Sequence, residues 1–175
     1  MKKSILLSIL LVFAAASIHA QLADSIKVYL IRDFQRSKSY TQEYLDAMPA
    51  DKYGYRPNDS VRTFALQMLH LADATNYFAS TATGTPNPRP DGLEKMKNPT
   101  KDSVVAAVNA SYDFMISALE KTSPSTWLEI AKSGNRGFPK LVWFQKALEH
   151  QAHHRGQTTI YIRMQGIKPP RERLF

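Results

Sequence analysis

Residues 139–166 read PKLVWFQKALEHQAHHRGQTTIYIRMQG. No proline interrupts the stretch after Pro139, and its apolar residues recur at helical spacing, which predicts one long helix from about Pro139 to Gln165. Gly166, followed by Pro169 and Pro170, is the expected stop. Three of the five histidines of the chain, His150, His153 and His154, fall inside this helix. Positions four apart share a helix face, so His150 and His154 can aim ring nitrogens at one point. The stripe through that pair also passes Trp143, Ala147 and Tyr161 and faces a core. The competing stripe through His153 passes Lys146 and Glu149, which places His153 on a flank. Two imidazoles facing a core require partners from another helix, and that requirement bears on the fold as much as on the site.

Working outward, the apolar spacing stays helical almost throughout, with no internal repeat, low-complexity tract or strand-like alternation. A first helix is expected from about Asp24 to Met48, capped by Asp24 or Ser25, with Val28, Leu30, Ile31, Phe34, Tyr44 and Leu45 as apolar contacts. Tyr55-Arg56-Pro57-Asn58-Asp59-Ser60 breaks it. A second helix covers about Val61 to Ser80 and carries His70. A segment with Gly84, Pro86, Pro88, Pro90 and Gly92 reads as a loop. The third helix starts near Asp102 and runs past Leu119, and another irregular stretch leads to Phe138. Four long amphipathic helices and no strands predict an all-α four-helix bundle. The segments 81–100 and 122–138 exceed the roughly 2 to 8 residues usual between neighbouring bundle helices, so either could run the length of the bundle.

The facing partner for the histidine pair is His70, near the middle of the second helix, with Ala74 leaving room on the same face. Buried neutral imidazoles each need a partner, and one divalent ion held by His70, His150 and His154 would satisfy all three. Ligand histidines must be neutral, so metal affinity is expected to fall as pH drops through about 6.5. Zinc proteases also carry two helix histidines four apart, but with a Glu after the first as general base. Here that residue is Gln151, and an amide cannot take a proton, which argues against that chemistry. Around the site, His153, Gln157, Asp73 and Tyr161 are candidates to orient a ligand or assist it. Asp73, Glu149, His153 and Tyr161 are the candidate acids and bases, and no residue is assigned a catalytic role. Arg155 and Gln157 could hold a substrate anion. Gly156 inside a helix suggests close approach of a neighbouring backbone.

At the other end, Lys2 and Lys3 precede an apolar run from Ile5 to Ala16 that closes on Ala-Ser-Ile-His-Ala-Gln, the pattern of a secretory signal peptide. Residues 1–20 are read as the leader and 21–175 as the domain, giving a periplasmic or secreted protein. The run is shorter than the ~20 residues a membrane-crossing helix needs. With no cysteine in the chain, thiolate ligands and disulfides are excluded. The net charge of +8 is spread along the sequence. With neither a basic stripe nor a nucleic-acid motif, it reads as a solvated surface and not a nucleic-acid interface.

The chain resembles the DinB-like (YfiT-like) metalloenzyme family over essentially all of residues 21–175. Tyr55-Arg56-Pro57 is similar to the family's segment before its second helix, and His70 to its mid-helix histidine. His150 to Gln157, with Tyr161, Arg163, Gly166, Pro169 and Pro170, is similar to its C-terminal signature. The resemblance implies an up-down-down-up bundle with a long crossover between helices 2 and 3, metal ligation by His70, His150 and His154, and nickel, zinc or iron as the ion. It also implies a metal-dependent enzyme acting on a small molecule, as a thiol S-transferase or a hydrolase. Many relatives carry an acidic residue where this chain has Gln151, and most are cytoplasmic, whereas this chain carries an export signal. The contrasting expectation is a non-catalytic periplasmic metal- or small-ligand-binding bundle. A homodimer is compatible with either.

Overall fold

The computed structural model describes residues 2–175. Met1 and most side chains of the apolar run on which the leader expectation rests lie outside the described residues. No glycine or proline occurs between Lys2 and Met48, so nothing interrupts a helix there, and α1 spans Lys2–Ala47 until Pro49 ends it. Its start corrects the expected one near Asp24. Ser25 lies within the helix and its Oγ donates back to the Gln21 carbonyl at 2.8 Å instead of capping. Val28, expected to be an apolar contact, is 46% exposed, and among the described side chains of α1 Leu30 is the first that is buried.

The second helix, α2, spans Phe64–Thr83. Thr63 caps it by accepting from the Leu66 amide, and Gly84 ends it at a φ of 74°, a left-handed conformation that glycine adopts without steric cost. Helix α3 spans Lys101–Lys121, begun by a reciprocal Thr100–Ser103 capping box. Helix α4 spans Lys140–Arg163, and Gly166 follows it at a φ of 73°. Helix α2 packs on α3 and α4, and α1 closes the other side of the same two helices. Phe34, Leu45, Phe64, Met68, Leu69, Tyr112, Met115 and Phe144 fill the space between them and are fully buried. Hydrogen bonds fix the register. Ser37 and Gln42 of α1 meet Tyr112 and Asn109 of α3, with residue numbers running oppositely. Ser37, Thr41 and Tyr44 meet Gln151, Arg155 and Thr159 of α4, with numbers rising together.

The expectation of no strands is overturned by a hairpin of β1 (Ile130–Ser133) and β2 (Arg136–Pro139). Ser133 pairs with Arg136, leaving Gly134-Asn135 as a two-residue turn with Gly134 at a φ of 57°. That is the turn chemistry a tight hairpin demands. The hairpin leads directly into α4, and the Trp143 indole N–H donates to the Ala131 carbonyl at 3.0 Å, tying the two together. Among the described residues, no helix is long and apolar enough to cross a membrane.

Candidate metal centre

Helices α2 and α4 lie against each other with His70 opposite His150 and His154. The ring centroids stand 5.2 Å (His70–His150), 4.6 Å (His70–His154) and 4.2 Å (His150–His154) apart. One nitrogen from each ring lies within 4.8 Å of the others. Nitrogens bound about 2.0–2.1 Å from one tetrahedral ion stand roughly 3.4 Å apart, so small side-chain rotations close the set. His153 is exposed and is not one of the converging three.

Each ring is held differently. His70 Nδ1 lies 2.5 Å from Glu94 Oε1, an arrangement in which the ring donates to the carboxylate and keeps Nε2 free to ligate. Glu94 also accepts from Arg62 Nε at 2.7 Å. Burial pushes the Glu94 carboxyl up, but the hydrogen bonds from His70 and Arg62 outweigh it and hold the group below the usual carboxylate range. Asp73 fixes Glu94 in turn: its carboxylate accepts from the backbone amides of Leu93, at 2.6 and 2.7 Å, and of Glu94, at 2.9 Å. Gly92 permits this turn with a φ of 86°, and a Cβ there would stand 3.5 Å from the Asp73 carboxylate. Asp73 therefore reaches His70 through Glu94 and not directly.

His154 Nδ1 lies 2.8 Å from Gln67 Nε2, and Gln67 continues to Gln157, whose amide nitrogen lies 3.0 Å from His153 Nε2. With Gln67 turned to present its carbonyl to Nδ1, His154 keeps Nε2 free to ligate. Tyr161 donates to the Arg62 carbonyl at 2.8 Å, which anchors the residue that grips Glu94, and burial pushes its phenol up. Asp73 and Gln157 thus reach the cluster through one hydrogen-bond partner, and Tyr161 and His153 through two.

His150 is the exception. Its Nδ1 is buried without a hydrogen-bond partner. Burial first, and then the neighbouring His70 and His153, push the His150 ring down to about 4. Burial, His150 and His70 push His154 down to about 4 as well. Burial and the neighbouring rings thus favour the neutral, ligating form of both. An unpartnered nitrogen among three convergent imidazoles, two of them kept neutral, fits a divalent ion with borderline-soft nitrogen preference.

Two clefts reach the cluster. One of about 600 Å³ is lined by His150 and His153 together with Trp143 and the hairpin, and one of about 700 Å³ by His154, Gln157, Tyr161 and Arg62. Arg155 lines neither. It is buried on the opposite face of α4, donating to Ser37 and Thr41 and lying over the Tyr40 ring, so it is not placed to hold an anion at the cluster. Gln151 is fully buried there too, accepting from Ser37 and donating to Thr75. Glu149 is exposed and paired with Lys146. Gly156 is exposed, and a Cβ on it would meet nothing within 4 Å, so close backbone approach is not its role. Sequence reasoning missed Glu94 and Gln67, the two side chains nearest the ligand rings.

The sequence pattern of the DinB family matches residues 22–173, and the chain belongs to that family. The fold is similar to the crystal structure of a DinB-like protein from Bacillus cereus, with a TM-score of 0.72 at 16% identity over 82% of this chain and 95% of that one. It is also similar to a DinB-like protein from Bacillus subtilis, with a TM-score of 0.67 at 17% identity over 82% of this chain and 96% of that one. Comparison with curated proteins gives no match.

Proposed function

We propose that this DinB-family chain is an exported metal protein whose divalent ion, nickel, zinc or iron, is held by His70, His150 and His154, and that it acts as a metal-dependent enzyme on a small molecule. The observation that carries the reading is the convergence of three histidine nitrogens within 4.8 Å, with Glu94 positioned to orient one of them. Three protein ligands leave a coordination position for substrate. When bound, the ion supplies Lewis-acid charge that lowers the pKa of a water or thiol and makes it a nucleophile near neutral pH.

The surrounding residues favour a transferase over a hydrolase that relies on a protein base. Glu94 is engaged by His70 and Arg62, Asp73 by backbone amides, and Tyr161 by the Arg62 carbonyl. None of these groups is free to take a proton, whereas a thiol activated by the ion needs no protein base. The same engagement favours, as a second reading, a binding bundle with no turnover. Export rests on the leader and on a family match that begins at residue 22, one residue after the expected mature start at Gln21. The up-down-down-up order is supported by the registers of α1 with α3 and α4, and by Gln67 and Thr75 of α2 meeting Gln157 and Gln151 in reverse order.

Metal analysis of the natively purified protein tests the central claim. One ion per chain, lost in His150→Ala, is expected; substoichiometric metal in the wild type would overturn it. A screen with thiol and ester substrates then separates enzyme from binding bundle. Intact mass of the periplasmic product should start at or near Gln21, and a soluble species retaining Met1 would overturn export.

A further inference from the structure

The cleft beside His150 is built unlike the one beside His154. Its walls are aromatic: Trp143 stands between Phe78 and Phe138, at centroid distances of 6.1 and 5.8 Å, and Phe78 continues to the His150 ring at 5.7 Å. The planes of these contacts are inclined by 48°, 72° and 63°, so the cleft offers both ring faces and ring edges. Trp143 is not free to swing out, because its indole N–H is bound to the β1 backbone. Phe138 sits on β2 and is 46% exposed. An exposed aromatic on a short polar hairpin contributes little to the core, but it completes one wall of this cleft.

Charge is also asymmetric. Lys146 and Glu149 line the cleft and neutralise each other through an ion pair at 2.6 Å. Arg136, at the start of β2, lines it as well and has no carboxylate partner among the described residues. The cleft therefore carries one uncompensated guanidinium beside aromatic walls. Guanidinium groups pair with carboxylates through two parallel hydrogen bonds, and inclined rings prefer a flat aromatic body to an alkyl chain.

From these features we infer that the cleft selects a flat aromatic molecule bearing a carboxylate, its rings against the wall formed by Phe78, Trp143 and Phe138, its anion on Arg136, and one edge against His150. This names the substrate class of the proposed metal site and rests on that reading. Arg136 and Phe138 act here as specificity determinants, since neither belongs to the histidine cluster.

Titration calorimetry on the zinc-loaded protein, with 2-naphthoate, 2-naphthylmethanol and octanoate as probes, tests the inference. Zinc content is measured on the same samples. Naphthoate should bind at least tenfold more tightly than the uncharged alcohol and several-fold more tightly than octanoate. Arg136→Gln should erase the preference for naphthoate over the alcohol while leaving alcohol binding unchanged. Phe138→Ala should weaken both aromatic probes. Both positions are exposed on the hairpin, so neither change threatens the bundle core. Equal affinity for naphthoate and octanoate would overturn the aromatic part, and an unaltered preference in Arg136→Gln would overturn the assignment of the anion. Stoichiometric zinc with no naphthoate binding would sink the inference and leave the metal reading standing. Naphthoate binding without zinc would do the reverse.

Discussion

The two buried faces of α4 carry polar side chains under opposite conditions. Toward α1, Gln151 and Arg155 are tied into a network with Ser37, Thr41 and Tyr112, and the other end of the Gln151 amide is used by Thr75 of α2. Toward α2, His150 and His154 crowd against His70, two of the rings are held neutral, and His150 Nδ1 has no partner. A saturated buried network holds helices in register, because any broken link strands a donor or acceptor away from water. An unsaturated one costs stability and persists where something else completes it. One helix thus supplies a structural face and a site face less than a turn apart.

The largest effect should separate the faces outright. His70→Ala, His150→Ala or His154→Ala should each abolish stoichiometric metal binding while leaving the helical circular dichroism intact, and His153→Ala should retain most of the binding. Loss in all four variants would show that the converging set is wrongly drawn. On the other face, Gln151→Leu should keep full metal stoichiometry and lower unfolding stability by about 1–3 kcal/mol, since hydroxyls of Ser37 and Thr75 lose a buried partner. Chemical denaturation beside metal analysis reads both. A Gln151→Leu protein as stable as the wild type but unable to bind metal would erase the distinction.

A smaller effect is expected from Glu94, which supports the site face from outside α4. Glu94→Gln keeps the shape of the side chain but removes the charge that orients His70. Metal affinity should drop roughly 10–100-fold, the usual range for an outer partner of a ligand histidine. Competition with a chromogenic chelator measures it. Unchanged affinity would mean that Glu94 serves only the Arg62 ion pair.

What could be read in advance follows the same division. Helical periodicity located α2, α3 and α4, and a four-residue spacing picked out His150 and His154, because both signals are local to one helix. Glu94 and Gln67 lie 24 and 87 residues from the rings they touch, a separation that no period in the chain encodes. Arg155, which the sequence offers with Gln157 as able to hold an anion, adjoins His154, yet adjacent helix positions point about 100° apart. The hairpin escaped because its strands are four residues each with no clean alternation, leaving Gly134-Asn135 as the sole strong signal. The start of α1 was placed by cap residues that need a break before them, and no break exists.

Without metal, acid should expose the cost of the site face. His150 and His154 sit at about 4 in the fold against about 6.5 in an unfolded chain, so between those values the unfolded state binds more protons. Their neutral packing is fully tolerated above pH 6.5, and stability is lost as pH falls from there toward 4, with no further loss from these groups below it. Because His150 is partly open to solvent and the two rings are coupled, the loss is discounted to roughly 1–2 kcal/mol. Thermal melts of the metal-free protein from pH 7 to pH 4 should show it, and His150→Phe should flatten the slope. An identical slope in that variant would place the acid sensitivity elsewhere.

The smallest effect lies at the seam between the faces. Gly156 follows His154 and Arg155, both buried, but is itself exposed, and a Cβ there has open space on every side. Glycine inside a helix costs about 0.5–1 kcal/mol relative to alanine, through the freedom it loses on folding, and nothing around this position requires that cost. Gly156→Ala should therefore raise the melting temperature by roughly 1–4 °C, at about 2–4 °C per kcal/mol in a domain of this size. It should leave metal affinity and the α1-facing network unchanged, because the new methyl points to solvent between the two faces. A melting temperature that falls would show that the helix bends or is covered at this point. Retained stability with weakened metal binding would extend the site face one residue further around α4 than the histidines define it.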